Sequence, residues 1–113
     1  EGGRFVFLGF LPRSRGARRA LLAPLVASPL ALVAYESPHR LLGTLADLEH
    51  LFGARPMLAA GELTKLYEET LRGSPAELLA HLERHRPRGE FTLIIAPPRP
   101  SRLRPGPGRQ EKT

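Results

Sequence analysis

The stretch "ALVAYESPHRLLGTLADLEHLFG" (residues 31–53) joins an apolar run to an amphipathic one and decides the fold. The apolar run predicts a buried strand. Ser37 is then a favoured helix N-cap, and Pro38 suits the first helical position because its missing N–H would have no helical partner there. Leucines recur at helical spacing up to Gly53, which favours a helix end. Capping explains Ser37 and Pro38. It leaves four neighbours unexplained: Tyr35, Glu36, His39 and Arg40.

Apolar and amphipathic segments alternate along the rest of the chain in the same way. Strands are predicted over residues 4–11, 30–36, 57–63, about 67–72 and 89–97. Helices are predicted over 15–27, over 38–53 and from residue 75, where "SPAE" (74–77) forms a capping box. Pro24 predicts a kink or break in the first helix, because proline removes a hydrogen bond and clashes with the preceding turn. The alternation predicts an α/β fold, a layered α/β sandwich with a largely buried, mixed sheet of about five strands.

Length and composition limit the kind of protein. The 113 residues suit one compact domain, predicted over residues 1–97, and the Pro- and Arg-rich residues 98–113 are predicted to be a disordered tail. The net charge is +6, but residues 97–113 contribute +4 of it, so basicity is weak evidence for a nucleic-acid surface. The chain has no cysteine, no apolar run of about 20 residues and no signal-peptide pattern. We expect a cytoplasmic protein with no membrane partner, and the absent initiator methionine favours a piece of a longer chain.

Two basic clusters and the histidines are candidates for binding. "RSRGARR" (13–19) and "RHRPR" (84–88) can hold phosphate groups, or can form solvated surfaces. His81 and His85 lie four residues apart without a third ligand, so a surface pair is expected and no metal site. No phosphate-binding glycine loop follows a strand, and no serine or threonine has an evident base, so nucleophilic catalysis lacks support.

Three groups of residues lie at the ends of predicted strands, where open α/β sheets bind ligands. These groups are Tyr35 with Glu36, then Glu62, Thr64 and Lys65, and lastly Ala96 with Pro97. Glu36 also has a simpler explanation, since a carboxylate before a helix gains about 0.3–1 kcal/mol from the helix dipole. Residue chemistry alone therefore gives a small α/β domain with a polar rim and no complete catalytic set.

Four motifs occur in order with short spacers: "GFLPR" (9–13), "YESPHRL" (35–41), "GELTKLYEETLRG" (61–73) and "GEFTLII" (89–95). Together they resemble the C-terminal domain of the ribosomal RNA small subunit methyltransferase I family, within the tetrapyrrole methylase superfamily. The resemblance covers residues 4–96. The chain departs from the family pattern at Gly61, where the family usually has the arginine of "ARELTK".

The resemblance implies a two-domain α/β enzyme, generally a homodimer, that uses S-adenosylmethionine. Its implied substrate is the ribose 2′-hydroxyl of a cytidine in the 16S rRNA of the small ribosomal subunit. This chain would form one wall of the donor cleft, opposite an N-terminal domain. The implied donor-binding residues are Tyr35, Glu36, Ala60, Glu62, Thr64 and Ala96. The candidate RNA-binding residues are Arg13, Arg15, Arg18, Arg19, Arg40 and Lys65. The catalytic residues are unknown.

Half of a cleft cannot place a hydroxyl in line with the transferred methyl carbon, so the chain alone is predicted to be inactive and to bind the donor weakly. Two other interpretations stay open. A precorrin-type tetrapyrrole methyltransferase would need an open apolar trough, whereas the basic cluster at 13–19 favours RNA. A non-enzymatic RNA-binding module would need aromatic stacking platforms, and aromatic residues make up only 6% of the chain. An exposed apolar patch would support a dimer interface.

Overall fold

The structure, a computed structural model, describes residues 4–62 and 68–98. Within these residues the strands are β1 (Phe5–Phe10), β2 (Ala31–Glu36), β3 (Met57–Glu62), β4 (Glu68–Gly73) and β5 (Phe91–Ile95). The helices are α1 (Arg15–Leu22), α2 (Pro38–Phe52) and α3 (Pro75–Arg84), with a 3-10 turn (Ala23–Leu25) after α1. Every predicted element is present, with boundaries that shift by a few residues.

The five strands form one mixed sheet in the order β1-β2-β5-β3-β4. β1 and β2 are parallel, and the other three neighbouring pairs are antiparallel. The last strand in the chain, β5, therefore lies at the centre of the sheet, between β2 and β3. The predicted fold class, an α/β fold with a mixed sheet of about five strands, is confirmed.

α1 begins at the predicted residue but ends before the predicted residue 27. The Ser14 hydroxyl accepts a hydrogen bond from the Ala17 N–H at 3.2 Å, which caps the helix. The regular helix stops at Leu22, and Pro24 lies in the 3-10 turn that follows. The predicted break at Pro24 is therefore confirmed.

The Ser-Pro pairs at the starts of α2 and α3 cap their helices in different ways. At α3, the Ser74 hydroxyl accepts from the Glu77 N–H at 3.2 Å, and the Glu77 carboxylate accepts from the Ser74 N–H at 2.8 Å. This is the predicted capping box. At α2, Ser37 occupies the N-cap position but its hydroxyl makes no capping hydrogen bond. Gly53, with φ of 64°, ends α2 as predicted.

The three helices pack on one face of the sheet and share a single apolar core with it. That core contains Leu22 of α1, Leu45 and Leu48 of α2, Leu78 and Leu82 of α3, and the strand residues Leu32, Ala34, Ala59, Leu93 and Ile95. Within the described residues, no helix covers the other face, which we call the open face. Its large apolar side chains are exposed: Phe5, Phe7, Phe10, Tyr35 and Ile94. The prediction of a largely buried sheet holds for one face only, because three short helices make a single layer.

A β-bulge at Gly9 determines which side chains of β1 reach the open face. The pairing register shifts between Phe7 and Gly9, and Gly9 has φ of 67°. Glycine adopts this left-handed conformation without the clash of a Cβ atom. The bulge aligns Phe7 with Val33 and Phe10 with Tyr35, so both phenylalanines lie on the open face.

The directions of the strands determine which ends meet. β2 and β3 run the same way, and β5 runs opposite to both. Tyr35 and Ala60, near the ends of β2 and β3, therefore flank Thr92 near the start of β5. Ala96 lies at the other end of the sheet, where its N–H donates to the carbonyl of Pro56 at 2.9 Å. The expectation that Ala96 shares an edge with the ends of β2 and β3 is wrong, because the last strand is antiparallel to them.

Residues 1–3, 63–67 and 99–113 lie outside the described part of the chain. The predicted disordered tail (98–113) falls almost wholly in the last of these ranges, so it stays a prediction, as does the domain boundary at residue 97. None of the helices within residues 4–62 and 68–98 combines the length and the apolar character needed to cross a membrane.

Candidate functional site

A groove lies on the open face, at the end of the sheet where β2 and β3 finish and β5 begins. It encloses about 430 Å³. We call it the Tyr35 groove, and its lining includes Phe10, Tyr35, Ala60, Thr70, Glu90 and Thr92. Three neighbouring strands bring Tyr35, Thr92 and Ala60 side by side, so the floor of the groove is hydrogen-bonded sheet.

Tyr35 forms an aromatic wall of the groove. It is 38% exposed, and its ring centroid lies 5.3 Å from that of Phe7, with the ring planes at 75°. Its ring centroid also lies 5.4 Å from that of Phe10. Aromatic contacts of this kind are favourable and restrict the motion of the tyrosine ring. The groove therefore offers an aromatic surface, with Glu90 among its lining residues.

Glu36 was expected to face the same groove, and that expectation is wrong. Its side chain is fully buried on the helix side of the sheet. One carboxylate oxygen accepts from the Ser37 N–H at 2.9 Å and from Arg40 Nε at 3.2 Å, and the other accepts from the Thr44 hydroxyl at 2.7 Å. Side chains alternate along a strand, so the neighbour of the outward Tyr35 has to point inward. Glu36 anchors the first turns of α2 to β2.

Arg40 is held by the same carboxylate. Its Nε forms an ion pair with Glu36 at 3.2 Å, and its side chain is 28% exposed. Arg40, a candidate RNA-binding residue, thus has an acidic side chain as its partner in the described part of the chain. A contact between Arg40 and RNA stays a prediction.

The other implied donor-binding residues are divided between the groove, the far end of the sheet and the residues that are not described. Ala60 lines the groove, and Ala96 lies at the far end. The backbone of Glu62 ends β3. The Glu62 side chain, Thr64 and the candidate RNA-binding Lys65 lie outside the described residues.

Three arginines of α1 converge on one buried carboxylate, that of Asp47 in α2. Asp47 Oδ2 accepts from Arg18 Nε at 2.8 Å, and Oδ1 accepts from Arg19 Nε at 2.8 Å. Arg15 Nε lies 3.6 Å from Oδ1. Burial raises the pKa of Asp47, but the hydrogen bonds and charges of Arg19 and Arg18 outweigh this effect and hold the pKa below its ordinary 3.8. We call these four residues the Asp47 cluster.

Arg18 was expected to bind RNA, and its position contradicts this. Its side chain is only 6% exposed, and it also donates through Nη1 to the carbonyl of Arg13 at 2.9 Å. Arg18 precedes the buried Leu22 by four residues, so both lie on the inner face of α1. The other candidates of this segment remain accessible: Arg13 is exposed, Arg15 is 65% exposed and Arg19 is 32% exposed.

Asp47 is the residue that sequence reasoning missed, although a signal was present. Helical spacing places it beside Thr44 and Leu48, which are also fully buried. A carboxylate in such a position needs a charged partner, because burying an unpaired charge is very costly. The arginines at 13–19 were the obvious candidates.

Gly61, where the chain departs from the family pattern, is explained by packing. A Cβ atom at residue 61 would lie 2.3 Å from the ring of Phe91. Phe91 is the cross-strand neighbour of Gly61 and is fully buried. The ring fills the space that the first carbon of an arginine side chain would need.

His81 of α3 and His85, the C-cap residue that follows the helix, lie side by side as the surface pair that their spacing predicts. Their ring centroids lie 4.7 Å apart, and His81 Nε2 lies 3.3 Å from a carboxylate oxygen of Glu69 on β4. In the ranges 4–62 and 68–98, no three histidine or acidic side chains are grouped as metal ligands.

Comparison with known proteins gives close relatives that share one name. A ribosomal RNA small subunit methyltransferase I from Thermotoga maritima is 42% identical over 95 residues, which are 84% of this chain and 42% of the relative. The protein of that name from Micromonospora olivasterospora is 46% identical over 94 residues, 82% of this chain and 30% of the relative. The chain thus spans less than half the length of these curated relatives. No protein-family model matches the chain.

A solved structure from Entamoeba histolytica, described as a candidate diphthine synthase, aligns with 88% of this chain and 46% of its own. Its TM-score is 0.49 and its identity 15%, and a likeness at that level supports no conclusion about this chain. The sequence identities of 42% and 46% establish that this chain is homologous to these relatives. This chain is a relative of part of the ribosomal RNA small subunit methyltransferase I proteins, as its four motifs predict.

Proposed function

We propose that this chain forms one wall of the S-adenosylmethionine pocket of an rRNA methyltransferase, and that this wall is the Tyr35 groove. The observation that carries the proposal is the meeting of Tyr35 and Ala60, both implied by the family resemblance, in one groove at the ends of β2 and β3. The relatives named as rRNA methyltransferases support the class of reaction.

The residues of the groove suit this donor. S-adenosylmethionine supplies an electrophilic methyl group on a sulfonium cation, attached to a planar adenine nucleoside. Tyr35 and Phe10 offer aromatic surface, on which a planar or cationic group is stabilised. The acidic residue Glu90 is among the lining residues, and the small side chain of Ala60 leaves room beside Thr92. The chain's own residues fit the group.

The part played by this chain is positioning. Tyr35 is held by Phe7 and Phe10, and the groove is built on paired strands, so its wall does not need to reorganise when a ligand arrives. Placing the reacting atoms in line contributes about 7–11 kcal/mol to such reactions. A single wall cannot fix both reactants or exclude water, so we expect no methyl transfer by this chain alone.

We also propose the finer assignments that the resemblance implies. The acceptor is the ribose 2′-hydroxyl of a cytidine in 16S rRNA, and the whole protein acts as a homodimer in the cytoplasm. The exposed Arg13 and Arg15 support a polyanionic substrate. The exposed apolar residues of the open face support an interface with a second protein layer.

The donor site is tested by NMR titration of the isotope-labelled chain with S-adenosylmethionine. We expect weak binding, with shifts centred on the amides of Tyr35, Ala60 and Thr92. Tyr35→Ala should abolish these shifts. The matched control is Ile94→Ala, which removes an exposed apolar side chain of the open face outside the groove and should leave them intact. Shifts that map away from the groove, or an equal effect of both variants, would contradict the proposal.

The inactivity of the chain alone is tested with small ribosomal subunits and radiolabelled S-adenosylmethionine. We expect no label in the 16S rRNA, because one wall of the cleft is insufficient. The Thermotoga maritima relative serves as the positive control for the ribosomal subunits and the labelled donor. Label transferred by the chain alone would overturn this part of the proposal.

A further inference from the structure

The Asp47 cluster leaves the outer ends of two guanidinium groups available. Among the described residues, Arg15 and Arg19 reach Asp47 through Nε, at 3.6 Å and 2.8 Å. Their Nη groups have no partner in the described part of the chain. Only Arg19 is held by a hydrogen bond, because 3.6 Å exceeds hydrogen-bond distance and Arg15 is 65% exposed. The Nε bond of Arg19 keeps its remaining donors in a plane that matches the paired oxygens of a phosphate.

The charge of the cluster also favours an anion. Three arginines surround one carboxylate, so the cluster carries a net charge of +2 while its pairs are intact. Asp47 is fully buried, so its negative charge lies beneath the arginines and not beside them at the surface. Arg13, exposed in the loop before α1, adds a further positive charge.

Arg18 links this surface to the loop that carries Arg13. Its Nε donates to Asp47 at 2.8 Å, and its Nη1 donates to the carbonyl of Arg13 at 2.9 Å. The buried arginine therefore ties α1, α2 and the loop together.

We propose that the Asp47 cluster is a site for backbone phosphates of RNA, in which Arg15 and Arg19 bind the phosphates and Asp47 is a positioning residue that orients Arg19. The inference rests on the proposed rRNA substrate and adds to it a located contact. It assigns a structural role to Arg18 and a binding role to its two neighbours.

The test uses the 113-residue chain and a short, fluorescein-labelled single-stranded RNA, with affinity measured by anisotropy over a range of salt concentrations. Arg15→Gln and Arg19→Gln should each weaken binding and flatten the slope of log K against log salt by about 0.7, the value for one phosphate contact on a single strand. The matched control is Arg72→Gln, which removes an exposed arginine outside both basic clusters. A peptide nucleic acid of the same sequence, which has no phosphates, should not bind.

Asp47→Asn separates positioning from simple electrostatics. The change removes a negative charge, so a diffuse electrostatic surface would bind RNA more tightly. The control is Glu49→Gln, at an exposed residue two positions further along α2. It also removes a negative charge, and it should tighten RNA binding whether or not Asp47 has a positioning role. Positioning predicts the opposite, weaker binding by Asp47→Asn alone. Tighter binding by both variants, or equal effects of Arg15→Gln, Arg19→Gln and Arg72→Gln, would overturn the proposal.

Circular dichroism first establishes that each variant is folded at the assay temperature. If Asp47→Asn is unfolded, the comparison of Arg15→Gln and Arg19→Gln with Arg72→Gln decides the question. No methyl donor is present in this assay. The two experiments can therefore fail independently. If the Tyr35 groove does not bind S-adenosylmethionine, that result counts against the proposed function but not against the phosphate site.

Discussion

Replacing Gly61 by alanine tests how closely β3 packs against the ring of Phe91. A Cβ at residue 61 would lie 2.3 Å from the ring, whereas ordinary contacts begin near 3.4 Å, so the ring edge has to retreat. Phe91 is fully buried on the central strand β5. Overpacking of this kind costs about 1–3 kcal/mol.

An opposing effect comes from the unfolded chain. Alanine has less backbone freedom than glycine, which favours the folded state by about 0.4–1 kcal/mol. A contact of 2.3 Å lies far inside the ordinary range, so the overpacking cost is expected to be about 2–3 kcal/mol. The net expectation for Gly61→Ala is a loss of about 1–2.6 kcal/mol, read from urea unfolding with an unchanged m-value. In a domain of this size that loss lowers Tm by roughly 4–8 °C per kcal/mol. Gly61→Arg, which restores the usual family residue, should lose more.

A control variant and a double variant test whether the loss of stability comes from the clash with Phe91. Gly16→Ala in α1 meets no atom within 4 Å, so it should gain up to about 1 kcal/mol. Phe91→Leu shortens the ring side chain, and combining it with Gly61→Ala should cost less than the sum of the two single changes, by about 0.5–3 kcal/mol. A Gly61→Ala protein as stable as the parent would show that the ring moves freely and would refute the steric argument.

The remaining predictions concern an ion pair and a helix cap. Asp47→Asn should destabilise the fold by about 3–5 kcal/mol at neutral pH in urea unfolding, because Arg18 would keep a buried charge without its carboxylate. The folded pKa of Asp47 lies below 3.8, so its contribution is present above that value and is lost as the pH falls through the folded pKa. Acid titration should therefore destabilise the parent more steeply than Asp47→Asn, and parallel curves would contradict this. Ser74→Ala should cost about 1 kcal/mol in thermal unfolding by removing the cap of Glu77, and an unchanged Tm would count against the capping box.

Local sequence signals predicted the strands and helices of this fold better than the relative directions of the strands in the sheet. Apolar runs and caps such as Ser14 and the Ser74 box depend on neighbouring residues, so the sequence reveals them. The antiparallel insertion of β5 between β2 and β3 depends on contacts between distant segments. No local pattern encodes it, and the position of Ala96 was wrong for that reason.

The candidate site shows the same division. Tyr35 and Ala60 were implied by the family motifs and do meet in the groove, whereas Glu90 and Thr92 join it only because β5 is reversed. Glu36 was wrongly expected in the groove, although the alternation of side chains along a strand predicts that Glu36 and Tyr35 lie on opposite faces of the sheet. Arg18 and Asp47 could not be paired from the sequence with certainty, because four arginines stood near one buried carboxylate.

The orientation of the end of β1 depends on the backbone conformation of residue 9. Gly9 has φ of 67°, which a β-branched residue adopts only under strain. If Gly9→Val forced the full-length strand into regular pairing, strict alternation from Phe7 would turn Phe10 beneath the helices and send Leu11, now buried, out into water. Tyr35 would lose one of its two aromatic neighbours in the same step. Deleting Gly9 would instead remove the added residue of the bulge, so that Leu8 would pair with Ala34 while Phe10 stays beside Tyr35.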